Sequence, residues 1–271
     1  MHDDTRFAVD RDEPLGLVHN VARPPDGGGD LRCIGFEFTS RGDRVPGSLW
    51  LPSTGKPPFP VVLLQHGANG SREAPYMAAA GLPWVRAGAA VASIDFPLHG
   101  QRGSAKLRQP MLAGLGIRGA TTPASREIVR EFVRQAVVDL QRTVDALDHF
   151  EELDAPRLAF AGFSLGAIVG ATFCAVDPRP RAAALALAGG GFGGPDVDPA
   201  TRIGDIAPRP LLFVNMTEDS VVPPTATKTL VAAAREPKSS HWFEGDHQDV
   251  PGAALKLMWH FLREHLAPPA P

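Results

Sequence analysis

Two cysteines in 271 residues, Cys33 and Cys174, are too few for a disulfide framework. They read as buried thiols that pack like small apolar side chains, with a single disulfide between them left open. No stretch reaches the roughly 20 apolar residues of a membrane span. The N-terminus, MHDDTRFAVDRDEPLG, lacks the apolar centre of a signal peptide. There is no dense run of Lys or Arg, and the formal net charge is −3, so neither nucleic acid nor an anionic membrane is an expected partner. The nine histidines include no HExxH and no closely spaced ligand set, so neither a metal nor a cofactor is expected. These absences point to a soluble cytoplasmic protein. Its oligomeric state stays open, a homodimer being one option.

What the chain does have is apolar residue in quantity, 44% of the total against 21% charged, enough to build one large core without staples. Residues 1–30 are polar, end in Pro24-Pro25-Asp26-Gly27-Gly28-Gly29, and read as an N-terminal extension with one short helix at most. Arg32–Thr39 and Val45–Leu51 alternate in polarity across the turn signal Ser40-Arg41-Gly42-Asp43, which predicts an antiparallel hairpin. From Pro60 the pattern changes to continuous apolar runs of the kind expected in strands buried on both faces. These are Pro60–Gln65, Ala89–Ile94, Arg157–Ala161, Ala182–Ala188 and Pro210–Val214, with Ser239–Glu244 as a last strand.

Helical stretches lie between them. In Ile128–Phe150 the residues Val129, Val133, Val137, Leu140, Val144 and Leu147 share one face, and Thr122-Pro123 or Ser125 begins the helix. Leu165–Ala175, Ala226–Ala234 and Ala253–His265 are the others. Strands alternating with helices predict right-handed crossovers in a three-layer α/β sandwich, mostly parallel, over residues 31–271 as one domain. Leu98–Thr122 breaks the alternation. It is Gly-rich, has no clean period, and is expected to form a partly helical lid or loop at about 98–122.

Chemistry concentrates at three strand ends. Gly162-Phe163-Ser164-Leu165-Gly166 follows a buried strand and precedes a helix. In that setting the G-x-S-x-G pattern places a serine on a strained tight turn, with its hydroxyl exposed at the sheet edge above a helix N-terminus. A serine hydroxyl needs a base within reach. His247, in Gly245-Asp246-His247-Gln248, lies just past the last strand and is the candidate base, whereas His241 lies within that strand. Asp219, after Pro210–Val214, is the candidate acid, preferred over its neighbour Glu218. Donors for a developing oxyanion are expected from the backbone N–H of Leu165 and from the loop His66-Gly67-Ala68-Asn69-Gly70, with Ala68 first and Asn69 second.

With these parts in place the chain resembles the α/β-hydrolase superfamily from about residue 31 to the end. The matching motifs are LLQHGANG, GFSLG, TEDSVVPP and GDHQDVP. Within the superfamily it looks like the dienelactone-hydrolase-like and acetyl-xylan-esterase-like bacterial esterases. The stretch from Asp95 through His99, Gly100 and Arg102 is similar to a D-x-x-x-H-G-x-R segment of that group. It departs from true dienelactone hydrolases in carrying Ser164 where they use cysteine.

The resemblance implies a serine esterase acting on a small carboxylic ester through an acyl-enzyme on Ser164. His66, Asn69, Phe96, His99, Phe163 and Val221 are candidate substrate contacts, and for His66 and His99 a loop-holding role is the preferred alternative. Two other readings stay open: a prolyl-oligopeptidase-like peptidase using the same residues, and a silent ligand-binding protein on the same scaffold.

Overall fold

The computed structural model describes residues 4–29, 31–116 and 119–267. Its strands are β1 (Val18–Ala22), β2 (Arg32–Ser40), β3 (Asp43–Leu51), β4 (Phe59–Gln65), β5 (Ala90–Ile94), β6 (Leu153–Phe163), β7 (Ala183–Ala186), β8 (Leu211–Met216) and β9 (Lys238–Phe243). Its helices are α1 (Pro75–Arg86), α2 (Ala105–Gly114), α3 (Pro123–Leu147), α4 (Leu165–Val176), α5 (Pro224–Ala233) and α6 (Gly252–Leu266). The strands form one sheet in the order β1-β2-β3-β5-β4-β6-β7-β8-β9. β1, β2, β3 and β5 pair antiparallel, and every pairing from β5 through β4 to β9 is parallel. This is the expected α/β sandwich with its N-terminal hairpin.

The apolar runs are continuous because each central strand serves two cores. In β4, Val61 and Leu63 face the layer built by α2, α3, α4 and α5, while Val62 and Leu64 face α1 and α6. β8 divides in the same way, Phe213 to the first layer and Val214 to the second. Side chains alternate across a strand, so a strand covered on both faces must be apolar at every position. Cys33 and Cys174 are free and buried in opposite layers, and burial pushes the Cys33 thiol up to about 11.

The sequence reading and the fold part company at two places. The N-terminal segment carries a 3-10 turn at Asp4–Phe7 and also β1, an edge strand with Val18 and Val21 exposed. Its polar composition hides it, since an edge strand needs no buried face. α1 was not expected, because Pro83 lies inside it. The helix forms nonetheless: Pro75 opens it, and Met77, Ala80, Trp84 and Val85 are buried along it. α3 begins at the expected Thr122-Pro123 start, with Thr122 as its cap. Thr122 Oγ1 accepts from the Ser125 N–H at 3.1 Å, and Ser125 Oγ accepts from the Thr122 N–H at 2.8 Å, a reciprocal cap.

The region 98–122 holds a 3-10 turn at Gly100–Arg102 and then α2; Ile117 and Arg118 lie outside the described residues. α2 lies against α3 so closely that a Cβ on Gly114 would sit 2.1 Å from the Ser125 carbonyl oxygen. Met111, Leu112 and Leu115 are buried in the same layer.

Candidate active site

The parallel strands β4, β6 and β8 all end at one edge, and the segments leaving them converge there. Gly162 and Gly166 flank Ser164 for steric reasons. A Cβ on Gly162 would lie 2.7 Å from the Gly166 carbonyl group, and one on Gly166 would lie 2.5 Å from the Gln65 carbonyl oxygen. Ser164 itself is held at φ 52°, ψ −119°, a conformation that costs a non-glycine residue on the order of 1–3 kcal/mol. The Ser164 N–H is pinned to the Ala186 carbonyl at 2.8 Å, and α4 starts at the next residue.

His247 enters from the loop between β9 and α6. Its Nε2 stands 2.9 Å from Ser164 Oγ, and its Nδ1 stands 2.9 and 2.8 Å from the two carboxylate oxygens of Asp219. Asp219 Oδ1 also accepts from the N–H groups of Val221 and Val222, at 2.9 and 2.7 Å. A carboxylate accepts only, so Nδ1 carries the proton and Nε2 is left to accept from the serine hydroxyl. The three side chains are nearly covered, at 8% exposure for Ser164 and His247 and 5% for Asp219. Glu218 donates only a backbone N–H, to Gly245, and His241 lies in β9 with its carbonyl bonded to Asn215.

The loop after β4 closes over the same serine. The Gly70 N–H returns to the Gly67 carbonyl at 3.2 Å, and Asn69 takes φ 60° to make the turn. Gly67 passes close to the nucleophile: a Cβ there would stand 3.2 Å from the Ser164 Cβ. Among the described residues no protein acceptor takes the N–H of Ala68 or of Leu165.

A cavity of about 220 Å³ opens beside Ser164 and His247. Tyr76 and Ala79 of α1, Phe163, Leu187, Val250 and Leu255 of α6 give it apolar walls, with Gln248 at the rim. None of residues 98–116 lines it; the described part of the segment expected as a partly helical lid or loop includes α2, which packs on α3. A larger groove of about 880 Å³ runs along β1–β3 and the start of α1, and contains none of Ser164, Asp219 or His247.

Of the candidate substrate contacts, Phe163 lines the cavity, Asn69 is an exposed turn residue, and Val221 serves the acid loop through its N–H. His66, Phe96 and His99 do not reach it, each being fully buried. His66 Nδ1 donates to the Gly67 carbonyl at 2.8 Å and its Nε2 accepts the Phe96 N–H at 3.1 Å, so both ring nitrogens are used in holding the loop. Burial lowers its pKa to about 4 and keeps it neutral. His99 is also shifted down by burial, and its Nδ1 bonds the Pro97 carbonyl.

Asp95 is consumed similarly. It accepts the N–H groups of Arg72 and Gln101 at 2.9 Å each and pairs with the Arg72 guanidinium. Arg102 bridges Asp139 and Asp43 at 2.6 Å each. Two residues of consequence were not anticipated: Arg72 and Tyr76. The chain's one tyrosine beside Pro75 was a signal, but only the fold brings its hydroxyl to Gly67.

Among the described residues no group of three or more His, Cys, Asp or Glu is placed to hold a metal ion, and no helix is long and apolar enough to cross a membrane.

A mostly parallel sheet between two helical layers, with a serine on a tight strand-to-helix turn and a histidine–aspartate pair beside it, defines an α/β-hydrolase of the serine hydrolase class. The acetyl xylan esterase (AXE1) family model matches residues 30–187, more than half of the chain, and the chain belongs to that family. The serine hydrolase (FSH1) model matches residues 120–257, a span that takes in Ser164, Asp219 and His247.

Solved structures of similar fold include a novel cold-adapted esterase from an Arctic intertidal metagenomic library, 22% identical with a TM-score of 0.72 over 88% of this chain and 95% of that one. Acetyl xylan esterase 1 from Thermoanaerobacterium sp. JW/SL YS485 is 16% identical with a TM-score of 0.74 over 97% and 92%. Acetyl xylan esterase from Paenibacillus sp. R4 is 19% identical with a TM-score of 0.70 over 93% and 89%. None of the curated proteins matches. The chain is thus a carboxylic ester hydrolase of the serine type.

Proposed function

We propose that the chain hydrolyses a small carboxylic ester by two acyl transfers through an acyl-enzyme on Ser164. The observation that carries this reading is the unbroken line from Asp219 through His247 to Ser164 Oγ, with contacts of 2.8–2.9 Å. His247 takes the hydroxyl proton as Oγ attacks the carbonyl carbon, and Asp219 holds the imidazole and stabilises the imidazolium. The N–H groups of Leu165 and Ala68 receive the oxyanion. His247 then protonates the leaving alcohol. Water, deprotonated by the same nitrogen, attacks the acyl carbon and releases the acid and the free Ser164 hydroxyl.

A cavity of about 220 Å³ with apolar walls suits a short acyl group. The test is a p-nitrophenyl ester panel of rising acyl length on wild type and Ser164→Ala. The reading expects a short-chain optimum and a loss of roughly 10⁴-fold or more in the variant. Turnover of peptide amides in preference to esters would favour the peptidase reading. A folded protein inert to every ester would favour the silent binder.

A further inference from the structure

We propose that Tyr76 is a positioning residue of the oxyanion hole, acting through the backbone N–H of Gly67. The proposal rests on the esterase reading above. Tyr76 is the second residue of α1, six residues beyond the LLQHGANG motif and outside it. Its phenol oxygen nonetheless accepts the Gly67 N–H at 2.8 Å. The loop wraps around that oxygen: a Cβ on Gly70 would lie 2.5 Å from it. The ring stands edge-on to Phe163, the residue before the nucleophile, with centroids 5.7 Å apart at 83°. One side chain therefore touches both arms of the hole, the loop that carries Ala68 and the turn that carries Ser164 and Leu165.

The chemical consequence is a choice of donor. Two consecutive residues of this loop, Gly67 and Ala68, line the cavity beside the serine and could offer an N–H. With the Gly67 N–H occupied by the phenol, and the Gly67 carbonyl held by the His66 ring and by the Gly70 N–H, the Gly67 peptide is fixed on both sides. Among the described residues the Ala68 N–H is then left without a protein partner, and Ala68 lines the cavity. A loop fixed before the reaction needs no reorganisation as charge appears on the carbonyl oxygen, which is where such donors gain their effect. Without the hydroxyl the Gly67 N–H is an unpaired donor, and the turn relaxes to satisfy it.

Tyr76→Phe removes the one acceptor and keeps the ring against Phe163. A short-chain p-nitrophenyl ester and an alkylboronic acid, a mimic of the tetrahedral state, are the two probes. The expected result is a kcat lower by roughly 10- to 100-fold, less than the 10²–10³ of outright donor loss, with KM within about twofold. The boronic acid affinity should fall by the same factor as kcat, while the melting temperature stays close to wild type. A merely structural role would move stability and leave the kcat of the folded fraction and the boronic acid affinity alone. Wild-type kcat in Tyr76→Phe, or a rise in KM alone, overturns the proposal and leaves the esterase reading standing. A wild-type protein inert towards esters overturns the reading and the proposal together.

Discussion

Two loops leave neighbouring strands at the same sheet edge and meet opposite fates. The loop after β4 and the turn after β6 leave the N–H groups of Ala68 and Leu165 without a protein acceptor among the described residues, and Ala68 and Ser164 line the cavity. The loop after β5 is richer in chemistry-bearing residues, with Asp95, His99 and Arg102 in eight positions, yet Asp95 and Arg102 are committed to internal bonds and His99 is buried with its Nδ1 on Pro97. Residue type alone does not distinguish the two. What distinguishes them is where the remaining hydrogen-bonding capacity lies: His99 Nε2 and Arg102 Nε have no partner among the described residues but are buried away from the cavity lining, while the Phe96 N–H of the second loop holds the first through His66.

The contrast predicts different failures on the two sides. On the reactive side Asp219→Asn should keep the fold and lower kcat by roughly 10⁴-fold, because the amide favours the wrong imidazole tautomer; steady-state kinetics beside a melting curve checks both halves. On the supporting side Arg102→Met strands Asp139, which is fully buried. That should cost about 3–5 kcal/mol in urea denaturation, while kcat per folded molecule stays within a few fold. A large kcat loss with unchanged stability would erase the distinction between the loops.

A third effect separates them by pH. Free histidine titrates at 6.5, and burial holds His66 at about 4. Between these values the unfolded chain takes up a proton that the folded chain refuses. Stability is therefore lost as pH falls from about 6.5 towards 4, by on the order of 3 kcal/mol from this group, and no further loss comes from it below 4. Urea midpoints across that range should show the slope in wild type and a flatter one in His66→Gln. The smallest effect belongs to α2. Leu107 is exposed there and is not part of the cavity lining, so Leu107→Glu should change stability by no more than about 0.5 kcal/mol and leave kcat alone. A marked change in acyl preference would restore the lid reading for that segment.

Much of this was legible in the sequence, and the exceptions share a cause. Ser164 and Asp219 sit on short loops after apolar runs and His247 follows the more polar Ser239–Glu244, so the strand pattern, the G-x-S-x-G motif and the order serine, acid, histidine together aligned them at one edge. The hairpin was readable because Arg41-Gly42 interrupts a clean alternation. α1 was hidden by Pro83, whose missing N–H weighs more in a local reading than the burial of Trp84 and Val85 does in the folded chain. The reading of 98–122 as a lid or loop followed from its glycines and lack of a period, and one of those glycines, Gly114, lets α2 approach α3 closely. His66 and His99 were candidates by type and are structural by burial. Tyr76 was invisible because its partner is a backbone group nine residues away, a contact that leaves no trace in side-chain pattern.

The central claim is that Ser164 Oγ is the attacking atom. Reaction with a fluorophosphonate, followed by intact mass and peptide mapping, tests it most directly. One phosphonyl adduct per chain is expected, located on Ser164, absent in Ser164→Ala and strongly slowed in His247→Ala. A folded, ester-hydrolysing protein that takes no adduct, or takes it on another residue, would contradict it.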